Sequence, residues 1–291
     1  MQPTADEAPA HRPPNRYIVV QYVTQPDADA YERLKHECLR EPAAVALLQK
    51  LHTSITSTYK DELAQTVKNT TQQMLVSAVR VSEKQCPQLQ ATLARAQAKI
   101  QSKFGPRAQA VSKAQLYTKQ DASVKASSLA LPCGSPVVQV TDAMVRLLSK
   151  DELELVLLHE LAHIVYAHSE DVFAMKMKLA VLSDGTLAGT QLTQSEMSAY
   201  NVLQAGFELT ADRAMLACAG RDQWRNVLSM FAKLAGGDVG EPLDGEVFLQ
   251  QNTDVDGALQ RIIANAAIAA NPHPPVLYRV QELQRFMASG M

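Results

Sequence analysis

Three histidines and a glutamate interrupt an otherwise apolar stretch, LLHELAHIVYAH, between Leu157 and His168. His159, Glu160 and His163 form the pattern His-Glu-x-x-His. On a helix turning about 100° per residue, positions 159 and 163 lie about 40° apart and one turn along, so both imidazoles can converge on one ion. Glu160 projects at the neighbouring angle, where it can reach a metal-bound water without ligating the metal. Two histidines and one further carboxylate leave a position open for that water, as a catalytic zinc requires. The metal lowers the pKa of the water, and Glu160 takes its proton as it attacks a carbonyl. In a chain of this composition the pattern arises by chance on the order of one time in a hundred, before asking that it fall on a helix. Leu155, Leu158, Ala162 and Val165 are available to bury the rest of that helix.

The remaining ligand has to be found. Nine residues after His159, His168 faces about 180° away if the helix runs on. The metzincin pattern escapes this with a glycine bend, and no glycine stands between His163 and His168. His168 is therefore expected to make a supporting or structural hydrogen bond. The best candidate is Glu208 in FELTADRA, with Asp212 one turn on and positioned to accept the outer N–H of a ligand histidine. Glu170 and Glu196 are the alternatives, and each by itself reads as an exposed helix residue. A further stretch, Asn271-Pro272-His273-Pro274-Pro275 followed by Arg279, reads by spacing as a proline-flanked helix start with a surface histidine.

These side chains need elements to hold them. Ser149 with Glu152 is a capping box that opens the helix carrying His159, predicted from Lys150 to Ser169 or beyond. A second helix, about Ser195 to Ala219, carries Glu208 and ends at Gly220. Strands are expected at Arg16–Val23, Val111–Tyr117, Val124–Leu131 and Val137–Val140, with Thr141 or Asp142 capping a short helix after the last. Helical periodicity covers much of Asp27 to Lys103, including Met74–Val81 and Leu89–Ile100, and returns at Asp254–Ala269 and Pro274–Met287. Gly236 to Gly245 reads as loop.

The whole chain, 291 residues with 46% hydrophobic and 20% charged content, can bury a substantial core. Its net charge of -2 is spread along the sequence without a basic block, which argues against a nucleic-acid partner. No apolar run approaches the length of an integral membrane segment. Residues 1–15 read as a flexible tail rather than a targeting signal, so a cytoplasmic setting is expected. Cys38, Cys86, Cys133 and Cys218 are scattered and are expected to be mostly buried free thiols.

Four motifs in order resemble those of the HtpX and CAAX prenyl protease group of gluzincin zinc endopeptidases: SSLALPCGSPVVQVTDAMVRLL, DELELVLLHELAHIVYAH, FELTADRAMLACAG and NPHPPVLYRVQEL. The resemblance spans Leu89 to the C-terminus. It implies one Zn2+ held by His159, His163 and Glu208, with Glu160 as general base and Asp212 behind the ligands. It also implies His273 as a stabiliser of the tetrahedral oxyanion, with Arg279 ordering its region. A protein or peptide substrate would pair with an edge strand at Ser128, Leu129, Ala130 and Leu131. Ser127 stands where the family usually has Asn, and Ser128-Leu129 replace its usual Ala-Phe, so the substrate side is expected to differ. Many members are built among transmembrane helices, which this sequence lacks. The expectation is a predominantly helical α+β zincin whose small sheet flanks the cleft. Residues 16–88 would form an N-terminal strand and helical region, and residues 89–291 the metallopeptidase domain. The alternative is a zinc-binding regulatory or chaperone-like protein with little proteolysis.

Overall fold

The computed structural model describes residues 30–56, 76–130, 135–172, 194–251 and 273–290, with positions 65, 68, 69, 72 and 73. The strand expected at 16–23, the helix at 254–269 and the Pro132–Gly134 turn lie outside the described residues. The helices are α1 (Ala30–Leu34), α2 (Pro42–Thr56), α3 (Pro87–Phe104), α4 (Asp142–Leu147), α5 (Lys150–Val165), α6 (Gln194–Ala219), α7 (Trp224–Gly236), α8 (Gly245–Gln250) and α9 (Val276–Ala288). Strands β1 (Val79–Arg80), β2 (Gln115–Lys119), β3 (Ala126–Leu129) and β4 (Val137–Thr141) form one mixed sheet in the order β1-β2-β4-β3. The described chain is thus mostly helical with a small sheet.

At the centre lies α5. The Ser149–Glu152 capping box opens it, with both reciprocal hydrogen bonds present. Of its 16 residues, only Lys150, Asp151 and His163 escape burial. A helix apolar all round must be enclosed, and α5 packs against α3, α6, α7 and strands β3 and β4. Leu157, Leu158 and Leu161 meet Leu93 and Ile100 of α3, Ala211 and Met215 of α6 and Phe231 of α7 in one core cluster, which also takes in Val138, Val140, Val280 and Leu283.

Two ion-paired glutamates pin α5 to its neighbours. Glu152 accepts from Ser229 Oγ at 2.6 Å and Lys233 Nζ at 2.7 Å on α7. Glu154 accepts from Arg95 Nε at 2.6 Å and pairs with Lys99 Nζ at 2.7 Å on α3.

Antiparallel pairing along β4 places β3 at the sheet edge, with Ser128 opposite Val138. On the other side, β2 runs parallel to β4 and antiparallel to β1.

Several expectations need correction. The helix predicted through Ser169 stops at Val165, because Ala167 takes a left-handed φ of 57° before a new helical turn at 168–172. Residues 105–113 are a 3-10 helix, and the strand begins only at Gln115. Gly105, at a φ of 54°, ends α3 after Phe104, and the 3-10 turns form a separate element after it. Within Met74–Val81, predicted helical, Val79 and Arg80 pair with Tyr117 and Thr118 as β1, so sheet hydrogen bonding overrides the local period. Helices α7 and α8 were not anticipated. Cys86 is exposed rather than buried, Cys38 and Cys218 are half-buried, and Cys133 lies outside the described residues.

Candidate metal centre

Because α5 is continuous through Val165, His159 and His163, one turn apart, project from one face onto Glu208 of α6. The Nε2 atoms of the two histidines lie 3.0 Å apart. Glu208 Oε2 is 3.4 Å from His159 Nε2, and its Oε1 is 3.5 Å from His163 Nε2. One ligand atom from each of these three residues lies within 4.8 Å of the others, close enough to hold one metal ion. Two imidazole nitrogens and a carboxylate oxygen suit zinc. Glu170 is not part of this group, and the Glu196 side chain lies outside the described residues.

Behind these atoms stands a second tier. Asp212 Oδ1 is 2.9 Å from His159 Nδ1. Arg279 of α9 clamps the same carboxylate with two hydrogen bonds, Nε to Oδ2 at 2.7 Å and Nη2 to Oδ1 at 2.6 Å, and its Nη1 lies 3.6 Å from Glu208 Oε2. Asp212 is almost fully enclosed, so a bidentate arginine is the partner that makes a buried carboxylate tolerable. Arg279, expected behind the ligands with Asp212 and ordering the region of His273, bonds the Asp212 carboxylate, and its charge also bears on His273. His273 Nδ1 approaches Glu208 Oε1 at 3.6 Å from the open side, its side chain 70% exposed.

The break after Val165 moves His168. A continuous helix would carry it to the opposite face. Instead its Nδ1 returns to 2.9 Å from His163 Nδ1, on the side of that ring away from Glu208. His168 is buried, and the Tyr166 and Phe207 rings each stack on it nearly parallel. The sequence singled out neither aromatic; each sits within two residues of a site position, the one signal that could have marked them.

Charge follows from this packing. Burial works to raise the Glu208 carboxyl, but the imidazoles of His159 and His273 beside it hold it well below its usual range. Burial likewise opposes charge on His159, and the Asp212 carboxylate overrides it and raises the imidazole pKa. In His163 burial prevails and pulls the pKa down to about 4, leaving a neutral ring with a lone pair to give. Glu160 is buried next to the cluster, and burial raises its carboxyl despite His159 and a hydrogen bond with Ser128. A carboxylate displaced toward neutrality is suited to taking and returning a proton. That Ser128 contact ties β3 to the site, and Ser169 Oγ also donates to the Ser128 carbonyl at 3.3 Å. Ser128, Leu129 and Ala130 are at or just beyond the edge strand; Leu131 lies outside the described residues.

Two comparisons bear on this arrangement. Residues 83–287 match the model of peptidase family M48. The chain is also 30% identical over 181 residues to the plastoglobule-localized metallopeptidase 48, chloroplastic, of Arabidopsis thaliana, covering 60% of this chain and 52% of that protein. The chain thus spans about half the length of that curated relative. Among the described residues, no helix is long and apolar enough to cross a membrane.

Proposed function

The chain belongs to peptidase family M48, and we propose that it is a zinc-dependent endopeptidase of gluzincin type, akin in plan to the HtpX and CAAX prenyl protease group. The observation that carries this reading is the convergence of His159, His163 and Glu208 within 4.8 Å, with Glu160 one residue from the first ligand. Zinc held by those three residues would supply Lewis acidity, polarising a peptide carbonyl and acidifying water.

Everything else falls to the chain's own groups. The Glu160 carboxylate accepts the proton of the attacking water and returns it to the leaving amine. Asp212, clamped by Arg279, keeps His159 oriented through Nδ1 and so presents Nε2 to the metal. His273, whose Nδ1 lies 3.6 Å from Glu208 Oε1, would donate to the oxyanion as the carbonyl becomes tetrahedral. An extended protein or peptide substrate would pair with β3 along Ser128 to Ala130. The catalytic region starts near residue 89, and the segment before it serves as support. A cytoplasmic setting is part of the same proposal, to be checked by fractionation.

Glu160→Gln tests the mechanism. The variant should retain one zinc per chain by metal analysis and lose hydrolysis of casein and peptide libraries, and chelator should silence the wild type. Proteolysis that survives in Glu160→Gln would sink the mechanism. Stoichiometric zinc without any cleavage by the wild type would favour the regulatory alternative.

A further inference from the structure

Four rings stack in succession beside the candidate metal centre. Tyr31 lies on Tyr166 with centroids 4.4 Å apart and planes at 17°. Tyr166 lies on His168 at 5.5 Å and 17°, and His168 on Phe207 at 4.4 Å and 20°. The Arg107 guanidinium, 4.2 Å above the Tyr31 ring, closes the outer end. The Tyr166 hydroxyl donates to the Tyr31 carbonyl at 2.9 Å, which ties the end of α5 to α1. An imidazole packed against two near-parallel rings is hindered from turning about its Cβ–Cγ axis. The edge of His168 carrying Nδ1 is thereby aimed at His163 Nδ1, 2.9 Å away.

Tyr31 is itself held firmly. The segment that follows it docks on α6 through the His36 N–H to Thr210 Oγ1 at 2.9 Å and through Arg213, whose Nη2 donates to Glu37 Oε2 at 2.8 Å. Cys38 and Leu39 press so closely on Gly206 that a Cβ there would meet Cys38 Sγ at 2.5 Å. Positions 206, 210 and 213 share one side of α6, while Glu208 and Asp212 occupy the other. Residues 36–39 therefore buttress the ligand helix on the side away from Glu208 and Asp212.

We propose that residues 30–39 are a positioning element of the metal centre: Tyr31, acting through Tyr166 and His168, sets the orientation of the His163 imidazole. The outer nitrogen of a ligand histidine needs a fixed partner to keep the ring aligned and the other nitrogen free for the metal. This inference rests on the proposal that His163 is a metal ligand.

The experiment uses the full chain and reads the affinity for Zn2+ by chelator competition, together with the visible spectrum of the Co2+-loaded protein. Tyr31→Leu keeps apolar bulk without a ring face and should weaken zinc binding about tenfold, with an altered Co2+ spectrum. Tyr31→Phe keeps the ring and should retain wild-type values. In a double-mutant cycle, Tyr31→Leu combined with His168→Ala should bind no more weakly than His168→Ala alone. Unchanged affinity and spectrum in a folded Tyr31→Leu, or additive losses in the cycle, overturn the proposal. Should Tyr31→Leu not fold, Tyr31→Met decides on the same readouts, since it too keeps apolar bulk without a ring face: weaker zinc binding supports the proposal and unchanged binding overturns it. A wild type that binds no zinc, or a His163→Ala variant that binds it as well, defeats the metal-centre reading itself; intact zinc binding indifferent to Tyr31 defeats only this proposal.

Discussion

Asp212 concentrates the largest energetic stakes in a single side chain. It is enclosed, faces His159 Nδ1 at 2.9 Å and takes two hydrogen bonds from Arg279. Asp212→Asn keeps the shape but leaves the buried guanidinium with only the more distant Glu208 carboxylate, 3.6 Å away, as counter-charge, so a loss of about 3 kcal/mol in denaturant unfolding is expected. Zinc affinity should fall about 10- to 100-fold because His159 loses the group that fixes its ring. A folded, fully metal-competent Asn variant would contradict that role. Ala167 carries a different stress. Its left-handed φ of 57° costs an L-residue about 1–2 kcal/mol, whereas glycine adopts it freely but gives up about 0.4–1 kcal/mol to unfolded-chain entropy. Ala167→Gly should therefore be modestly stabilising in urea titration. A destabilised glycine variant would mean that the alanine methyl contributes packing that outweighs the backbone.

Among the elements, α5 depends on being held at both ends of its first turn. Glu152 caps its N-terminus and reaches across to Ser229 and Lys233 of α7. Burial works to raise this carboxyl, and the Lys233 and Ser229 partners prevail and lower it. A depressed folded pKa means that the stabilisation is fully present above the unfolded carboxylate value near 4.3 and disappears as pH falls through the folded value. Glu152→Gln should cost about 2 kcal/mol at neutral pH, and the gap from wild type should close when unfolding is followed toward pH 3. A gap that persists unchanged in acid would show that the charge is not the cause. This lock was half legible: the capping box is a local spacing, while α7, which supplies the other half, was not anticipated.

On the scale of the whole molecule, the candidate metal centre joins helices that are distant in sequence. His159 and His163 come from α5, Glu208 and Asp212 from α6, and Arg279 from α9. Metal bound across that junction would favour the folded state, by about 2.7 kcal/mol when free metal stands at a hundred times its Kd. For a chain of this size that corresponds to several degrees of melting temperature. Chelation should lower the thermal midpoint accordingly, and added zinc should restore it; a midpoint indifferent to metal would argue that no ion bridges the helices. The α1 segment belongs to the same body, since Ala30 and Leu34 are buried in the main core. What the sequence determined by itself was local. The i, i+4 spacing of His159 and His163, that of Glu208 and Asp212, the capping box and the Gly220 stop all follow from helix geometry that a short window contains. Only the tertiary structure decided the rest. The left-handed Ala167 returned His168 to His163, because one backbone residue outside the helical range redirects everything after it. Arg279 reached the Asp212 carboxylate from 67 residues away, and Tyr31 reached Tyr166 from 135 residues away. Those choices depend on which faces of α5, α6 and α9 meet, and packing of that kind leaves no period in the sequence to read.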